Sequence, residues 1–230
     1  MSTYVLTGAG SGIGRLVAER LHARGDTLIL IARDDRRAAD LTAAFPGSAA
    51  VTSDLADPTA LADVVAAAAL PEAIDGIVHA AGIVELGTVA ELPVDAWTSQ
   101  LTVNLVAPAE LTRLLLPRVR AARGQIVFVN SGAGLTAHAG WAAYAASKHG
   151  LKALADALRS EEAEHGVRVT TVYPGRTATP MQETVHAQEG AAYDPDRWID
   201  PESLATVILT ALDLPRDAVI SDLTVRPGPR

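Results

Sequence analysis

The chain has no cysteine among its 230 residues, which excludes a disulfide scaffold, a cysteine-ligated metal site and a thiol nucleophile. Aromatic residues make up only 4% and charged residues 20%, while hydrophobic residues reach 49%. A chain this apolar can bury a sizeable core, so disorder is excluded as well. Lysine is nearly missing: of the 19 basic residues, only Lys148 and Lys152 are lysine and the other 17 are arginine. The acidic excess, 27 against 19 for a net charge of −8, gives no basic footprint for nucleic acid. No apolar run approaches the ~20 residues that cross a bilayer. The N-terminus lacks the basic region and cleavage site of a signal peptide. The six histidines show no pair at zinc spacing with a matching carboxylate, so no catalytic metal is expected. The expectation is a cytoplasmic protein of one domain, spanning 1–230, without nucleic-acid or membrane partners.

What is present is an alternation. Short β-branched runs at 3–7, 27–32, 49–52, 74–79, 125–130, 168–173 and 218–225 read as strands. Several are continuously apolar, as strands buried on both faces are. Ala/Leu-rich amphipathic stretches at 13–24, 35–44, 58–69, 94–120, 142–165 and 201–212 read as helices. The alternation predicts a Rossmann-like, doubly wound α/β fold, with about seven parallel strands covered by helices on both faces. Gly25, Gly124 and Gly166 fall where left-handed helix C-caps are wanted. Asp57-Pro58 and Asp200-Pro201 read as capped helix starts. Pro108 and Pro117 predict that 94–120 is split or kinked. The long segment 174–199 reads as irregular and therefore functional.

The first strand runs directly into Thr7-Gly8-Ala9-Gly10-Ser11-Gly12-Ile13-Gly14 and then a helix. So tight a turn needs residues without Cβ atoms, and it presents helix N-terminal amides to a pyrophosphate. The second strand ends Ile31-Ala32-Arg33, with no carboxylate where one would bind the ribose of NAD and repel a 2′-phosphate. Arginine suits a phosphate, so Arg33 favours NADP, although it can instead pair with Asp34 or Asp35. Asp54 follows strand three, placed either to reach the adenine edge or to cap a turn.

Tyr144 and Lys148 stand four apart on a helical stretch and so share a face. A phenol with a pKa near ~10 is a poor acid–base catalyst at neutral pH, and a nearby ammonium brings it toward the working range. Ser131, at the end of strand five, is placed to meet the same substrate carbonyl.

The glycine turn, Asp54-Leu55, Asn104 within Val103-Asn104-Leu105, Ser131, Tyr144-Ala145-Ala146-Ser147-Lys148 and Pro174-Gly175 occur in an order that resembles the short-chain dehydrogenase/reductase family over essentially the whole chain. The resemblance implies a catalytic tetrad of Asn104, Ser131, Tyr144 and Lys148 with NAD or NADP as hydride carrier. In that scheme Tyr144 gives the proton, Ser131 holds the carbonyl oxygen, Lys148 grips the nicotinamide ribose and Asn104 supports a water relay. It further implies cofactor contacts from Gly8, Ser11, Gly12, Ile13, Gly14, Arg33, Asp54, Leu55, Ala81, Gly82, Pro174, Gly175, Thr177 and Thr179. Two features depart from the family pattern. His79-Ala80-Ala81-Gly82 stands where Asn-Asn-Ala-Gly is frequent, so local packing must differ. The C-terminus, Asp222 to Pro227, looks like the NADP-dependent branch that includes small-substrate alcohol and serine-type dehydrogenases.

The segment at about 176–199, with Met181, Tyr193 and Trp198, is expected to form a lid that excludes water. Val84, Leu135, His138, Trp141, Arg176 and Met181 are the expected pocket wall, mostly apolar and suited to a hydrophobic or aromatic carbonyl. Arg176 either holds a substrate carboxylate or makes a surface ion pair. The leading expectation is an NADP(H)-dependent carbonyl reductase or alcohol dehydrogenase. Alternatives are a non-catalytic NADP sensor or scaffold, and a reductase of acyl-carrier-linked ketones, which the acidic lid residues Glu183, Glu189, Asp194 and Asp196 oppose. By the same resemblance, the helices within 94–120 and 142–165 would pair copies into a homodimer or homotetramer.

Overall fold

The computed structural model describes residues 1–229. Seven parallel strands form one sheet in the order β3-β2-β1-β4-β5-β6-β7, namely Ala49–Thr52, Thr27–Ala32, Thr3–Thr7, Gly76–His79, Gln125–Val129, Arg168–Pro174 and Asp222–Val225. Eight α-helices accompany them: α1 (Gly12–Ala23), α2 (Asp35–Ala44), α3 (Leu61–Ala67), α4 (Val94–Leu101), α5 (Ala107–Ala122), α6 (Ala142–Glu162), α7 (Pro180–Gln188) and α8 (Pro201–Asp213). This is the Rossmann-like, doubly wound arrangement that the alternation predicts.

Adjacent strand residues point to opposite faces, so each strand feeds two cores. Leu6, Leu30, Val78 and Val127 pack with Val17 and Leu21 of α1 and with Leu204 and Ile208 of α8. Their neighbours Val5, Ile29, Ile77 and Ile126 pack with Leu111 and Leu115 of α5 and Leu151 and Leu158 of α6. Burying a sheet on both faces removes the polar alternation, which is why the strands read as continuous apolar runs. The chain steps outward from β1 to β3 and then returns to β4 beside β1. The crevice at the C-terminal ends of β1 and β4 is therefore the topological switch point, where ligands of such sheets bind.

Several boundaries differ from expectation. The first expected turn of the 58–69 helix is 3₁₀, and the α-helix stops at Ala67. Asp57 caps no backbone amide there, whereas Asp200 accepts the Glu202 N–H and starts α8 as expected. The last strand begins at Asp222 rather than at 218, because the Arg168 guanidinium takes the carbonyls of Leu212, Leu214, Pro215 and Ala218. Arg123 adopts the left-handed C-cap (φ 49°) expected of Gly124. Gly124 is needed for a different reason: a Cβ there would lie 2.7 Å from the carbonyl oxygens of Ile74 and Asp75.

The break in 94–120 falls immediately before Pro108, which lies in the first turn of α5 and lacks the N–H that would bond the Asn104 carbonyl. Residues Thr102–Val106 form a π-helical turn around the buried Asn104, and Pro117 sits inside α5 without ending it. An inserted residue of this kind bends a helix and turns one side chain out of the regular pattern. The segment 174–199 is only partly irregular, since it contains α7. Thr179 caps that helix by accepting the Gln182 N–H, with Pro180 in its first turn. Among the described residues, no helix is long and apolar enough to cross a membrane.

Candidate active site

A cleft of about 1670 Å³ runs along the C-terminal sheet edge. It has an end formed by the turns after β1, β2 and β3 and an end formed by β5, α6 and the 174–199 segment.

At the first end, the β1 turn is fixed by close backbone approach. Thr7 Oγ1 accepts the N–H groups of Ala80 and Ala81, both at 3.1 Å, which ties β1 to the strand beside it. Gly8 is left-handed (φ 75°), and a Cβ on it would lie 2.7 Å from the Ala80 and Ala81 backbone. A Cβ on Gly14 would lie 2.5 Å from the Gly8 carbonyl oxygen, whereas one on Gly10 would meet nothing within 4 Å. Ser11 occupies the N-cap of α1 without a side-chain capping bond, and the first turn carries no acidic residue. The amides at that terminus are thus left without an internal acceptor, as an anion seat requires. Together the glycines and the uncapped helix fit a dinucleotide pyrophosphate.

Arg33 is exposed and 3.5 Å from Asp34. Asp34 is itself committed to capping α2 through the Arg37 N–H, a bond that holds its carboxyl below the ordinary range. Asp54 accepts the Ala56 N–H at 2.9 Å and also lines the cleft. Between them the buried Ser53 Oγ lines the cleft without a hydrogen-bond partner.

The second end is interlocked. Tyr144 and Lys148 are both buried on α6, with Lys148 Nζ 5.8 Å from the phenol ring centre and donating to the Val129 carbonyl at 3.2 Å. Asn130 holds the α6 backbone by donating to the Lys148 carbonyl at 3.0 Å, while its Oδ1 accepts the Ser131 N–H. Ser131 and Tyr144 line the same end of the cleft, where the Ser131 hydroxyl favours the ionised phenol. Burial pushes the Tyr144 phenol up to about 12, against the lowering effect of Ser131. Burial also pushes Lys148 down to about 8. Desolvation therefore opposes the phenol lowering expected of the lysine, because each charged form loses its water in the same wall.

Asn104 is completely buried and does not line the cleft. Its Oδ1 accepts the Ile83 N–H, and its Nδ2 donates to the Ile83 carbonyl and to Ser147 Oγ, all within 2.9–3.0 Å. Ser147 donates in turn to the Tyr144 carbonyl at 2.7 Å. Asn104 thus connects the loop after β4 to α6 behind the tyrosine. A Cβ on Gly82 would lie 3.1 Å from Asn104 Oδ1 and 3.6 Å from Lys148 Nζ. His79, the departure from the family pattern, stacks on Phe128 with ring centres 4.9 Å apart and shares a 2.9 Å hydrogen bond between Nε2 and Thr112 Oγ1. Complete burial pushes its pKa down to about 3.

Every residue expected to contact cofactor lines this one cleft: Gly8, Ser11, Gly12, Ile13, Gly14, Arg33, Asp54, Leu55, Ala81, Gly82, Tyr144, Lys148, Pro174, Gly175, Thr177 and Thr179. Of the expected wall, Val84, His138, Trp141, Arg176 and Met181 line it, but Leu135 does not. Leu135 is exposed because the short 3₁₀ turn after Ser131 carries it away from the cleft. Tyr193 also misses the cleft and packs on His186. Arg176 resolves as the ion-pair alternative. It holds Glu189 with two bonds of 2.8 and 2.6 Å, and its guanidinium lies 5.9 Å from the Trp141 ring and 5.3 Å from that of Trp198. Sequence reading missed Asn130 and Arg226 as site residues, and saw Ser147 only as part of the helix motif and Glu189 only as an acidic lid residue. Asn130 and Ser147 adjoin motif residues and were within reach; the other two come together only in three dimensions.

The profile of the short chain dehydrogenase family matches residues 2–190. The chain belongs to that family. The dehydrogenase is 32% identical over 228 residues to an uncharacterized short-chain type dehydrogenase/reductase of Sinorhizobium fredii, covering 97% of this chain and 90% of the relative. It is 34% identical over 234 residues to the 1-deoxy-11-beta-hydroxypentalenate dehydrogenase of Streptomyces exfoliatus, covering 96% and 83%. Among solved structures it resembles a Beutenbergia cavernae protein assigned as an NAD(P) dependent gluconate 5-dehydrogenase and holding NADP at low occupancy. That match has a TM-score of 0.85 at 33% identity and covers 99% of this chain and 96% of the other. The protein is therefore an oxidoreductase of a family that uses NAD(P). Among its described residues, no group of three or more His, Asp or Glu side chains could hold a metal ion.

Proposed function

We propose that this dehydrogenase interconverts a carbonyl and an alcohol with NADP(H), Tyr144 being the proton donor and acceptor. The observation that carries the reading is the buried pair on α6, with Tyr144 and Lys148 facing Ser131 at the strand-end cleft. NADP(H) supplies or accepts the hydride when bound. Ser131 orients the carbonyl oxygen by hydrogen bonding. Tyr144, which keeps its proton at neutral pH, donates it to that oxygen. Lys148, charged below about pH 8, stabilises the negative charge left on the phenol. Asn104 acts through others: it fixes the Ile83 loop and, through Ser147, the backbone of Tyr144.

The NADP preference rests on Arg33 and Arg37, which line the adenosine end where β2 ends without a carboxylate. Since Asp34 caps α2, Arg33 has only a long, exposed contact to it and is available to a 2′-phosphate. The residues 176–199 serve as the lid, closed by the Arg176–Glu189 pair against Trp141. The substrate is a small molecule with a hydrophobic body, which Val84, Trp141 and Met181 receive. Two relatives carry names of hydroxy acids, a hydroxypentalenate and a gluconate, which is compatible with a polar group on that body. The protein acts as a single catalytic domain that pairs with a second copy through α4, α5 and α6.

Cofactor oxidation by the purified protein tests the reading, using aromatic ketones, aldehydes and oxo acids with NADPH and NADH in parallel. Turnover with NADPH exceeding that with NADH supports it. Turnover preferring NADH overturns the reading of Arg33, and NADPH binding without turnover across the panel favours a sensor.

A further inference from the structure

Charge is unevenly distributed at the substrate end of the cleft. The charged side chains lining it there are Lys148, Arg176, Glu189 and Arg226. Lys148 is buried behind the phenol and committed to the Val129 carbonyl, and Glu189 neutralises Arg176. Arg226 remains. It is exposed and, among the described residues, has neither an ion pair nor a hydrogen bond.

Two glycines locate its side chain. Arg226 follows β7, and its side chain crosses the end of β6 to reach the end of β5. A Cβ on Gly175 would lie 3.5 Å from Arg226 Cδ, and one on Gly132 would lie 2.8 Å from Arg226 Nη1. A side chain at 132 would thus collide with the guanidinium, and one at 175 would meet the adjacent Pro227 Cδ at 3.1 Å. The stem thus passes Gly175 in ordinary contact, and the guanidinium lies close over Gly132, the residue after Ser131. An arginine laid along two strand ends toward the reacting group, with all of its donors free, is an anion receptor with its charge uncompensated.

We infer that Arg226 binds a carboxylate of the substrate, so that the reaction acts on an oxo acid rather than on a neutral ketone. The inference rests on the carbonyl–alcohol reading and adds the substrate's charge. Val84, Trp141 and Met181 take the apolar body, Ser131 and Tyr144 the carbonyl, and Arg226 the carboxylate at the mouth. Arg176 is not the receptor, because a substrate would first have to displace the bidentate Glu189.

The test compares aryl oxo acids of increasing chain length with their methyl esters, in wild type, Arg226→Gln and Arg226→Lys. The wild type should prefer at least one acid over its ester. Arg226→Gln should raise KM for that acid about tenfold or more, the scale of a lost charge-assisted hydrogen bond. It should leave kcat, the ester and the KM for NADPH nearly unchanged, and Arg226→Lys should restore part of the loss. Equal preference for acid and ester, or equal loss on both in Arg226→Gln, overturns the inference while the carbonyl–alcohol reading stands. A binding measurement separates the two if no panel member turns over. Phenylacetate should raise the melting temperature of the NADP-saturated wild type more than phenylacetamide does, and Arg226→Gln should remove that difference. Equal shifts for the two ligands in the wild type overturn the inference.

Discussion

The two ends of the cleft are built on opposite principles. At the hydride end the polar groups behind the cleft wall hold one another: Asn104 by Ile83 and Ser147, Ser147 by Tyr144, Asn130 by Ser131 and Lys148. At the adenosine end Arg33 is solvent-exposed and, among the described residues, its one ion pair is with Asp34 at 3.5 Å. Buried polar groups must be satisfied, so the first region tolerates one arrangement, whereas exposed side chains lose little by moving. Chemistry is placed in the rigid end, and discrimination between cofactors is left to adjustable surface arginines.

Breaking the rigid end should have the largest effect. Asn104→Ala removes the partners of the Ile83 N–H and carbonyl and of Ser147 together. At about 1–3 kcal/mol for each buried group left unpaired, a loss of about 3 kcal/mol or more is expected. Calorimetry should show a melting temperature lower by about 6 °C or more. A variant that melts with the wild type would mean that the interlock is unimportant.

His79, beneath the same end, should give a smaller effect that depends on pH. Its native pKa of about 3 lies below the ordinary imidazole value of 6.5, so between these limits the unfolded chain binds a proton that the native protein does not. Stability should therefore fall as pH drops below about 6.5, by about 2 kcal/mol at pH 5. Urea unfolding of wild type and His79→Asn at pH 7 and pH 5 should show a steeper decline in the wild type. Parallel declines would assign the acid sensitivity to other groups.

The adenosine end should respond least. Arg33→Ala is expected to raise the KM for NADPH several-fold, leave that for NADH unchanged and alter stability by less than about 0.5 kcal/mol. Equal effects on both cofactors would remove the distinction drawn between Arg33 and a 2′-phosphate.

How much of this was legible in the sequence follows the same division. The glycine turn, Ser131, Tyr144 and Lys148 could be read because backbone approach and a shared helix face depend on local spacing. The strands could be read because burial on both faces leaves continuous apolar runs. Helix α7 carried a signal that was overlooked: Thr179, Pro180 and Gln182 have the spacing of a helix start, obscured by the surrounding loop-forming residues. The break near Pro108 could be read, because proline removes the N–H owed to the Asn104 carbonyl, but not the turn of Asn104 toward Ile83, about twenty residues upstream. The phenol shift expected from the Tyr–Lys spacing had the opposite sign, since spacing reveals a neighbouring charge but not the depth of burial. Arg226 remained hidden until Gly132 and Gly175 were seen to share one side chain's path.

The central claim is that Tyr144 handles the proton in a site otherwise ready for cofactor. NADPH titration by fluorescence, followed in the same sample by substrate addition, tests it in wild type and Tyr144→Phe. Equal NADPH affinity with turnover lower by about a hundredfold to ten-thousandfold in the variant is the expected result. Turnover by Tyr144→Phe at the wild-type rate would contradict it.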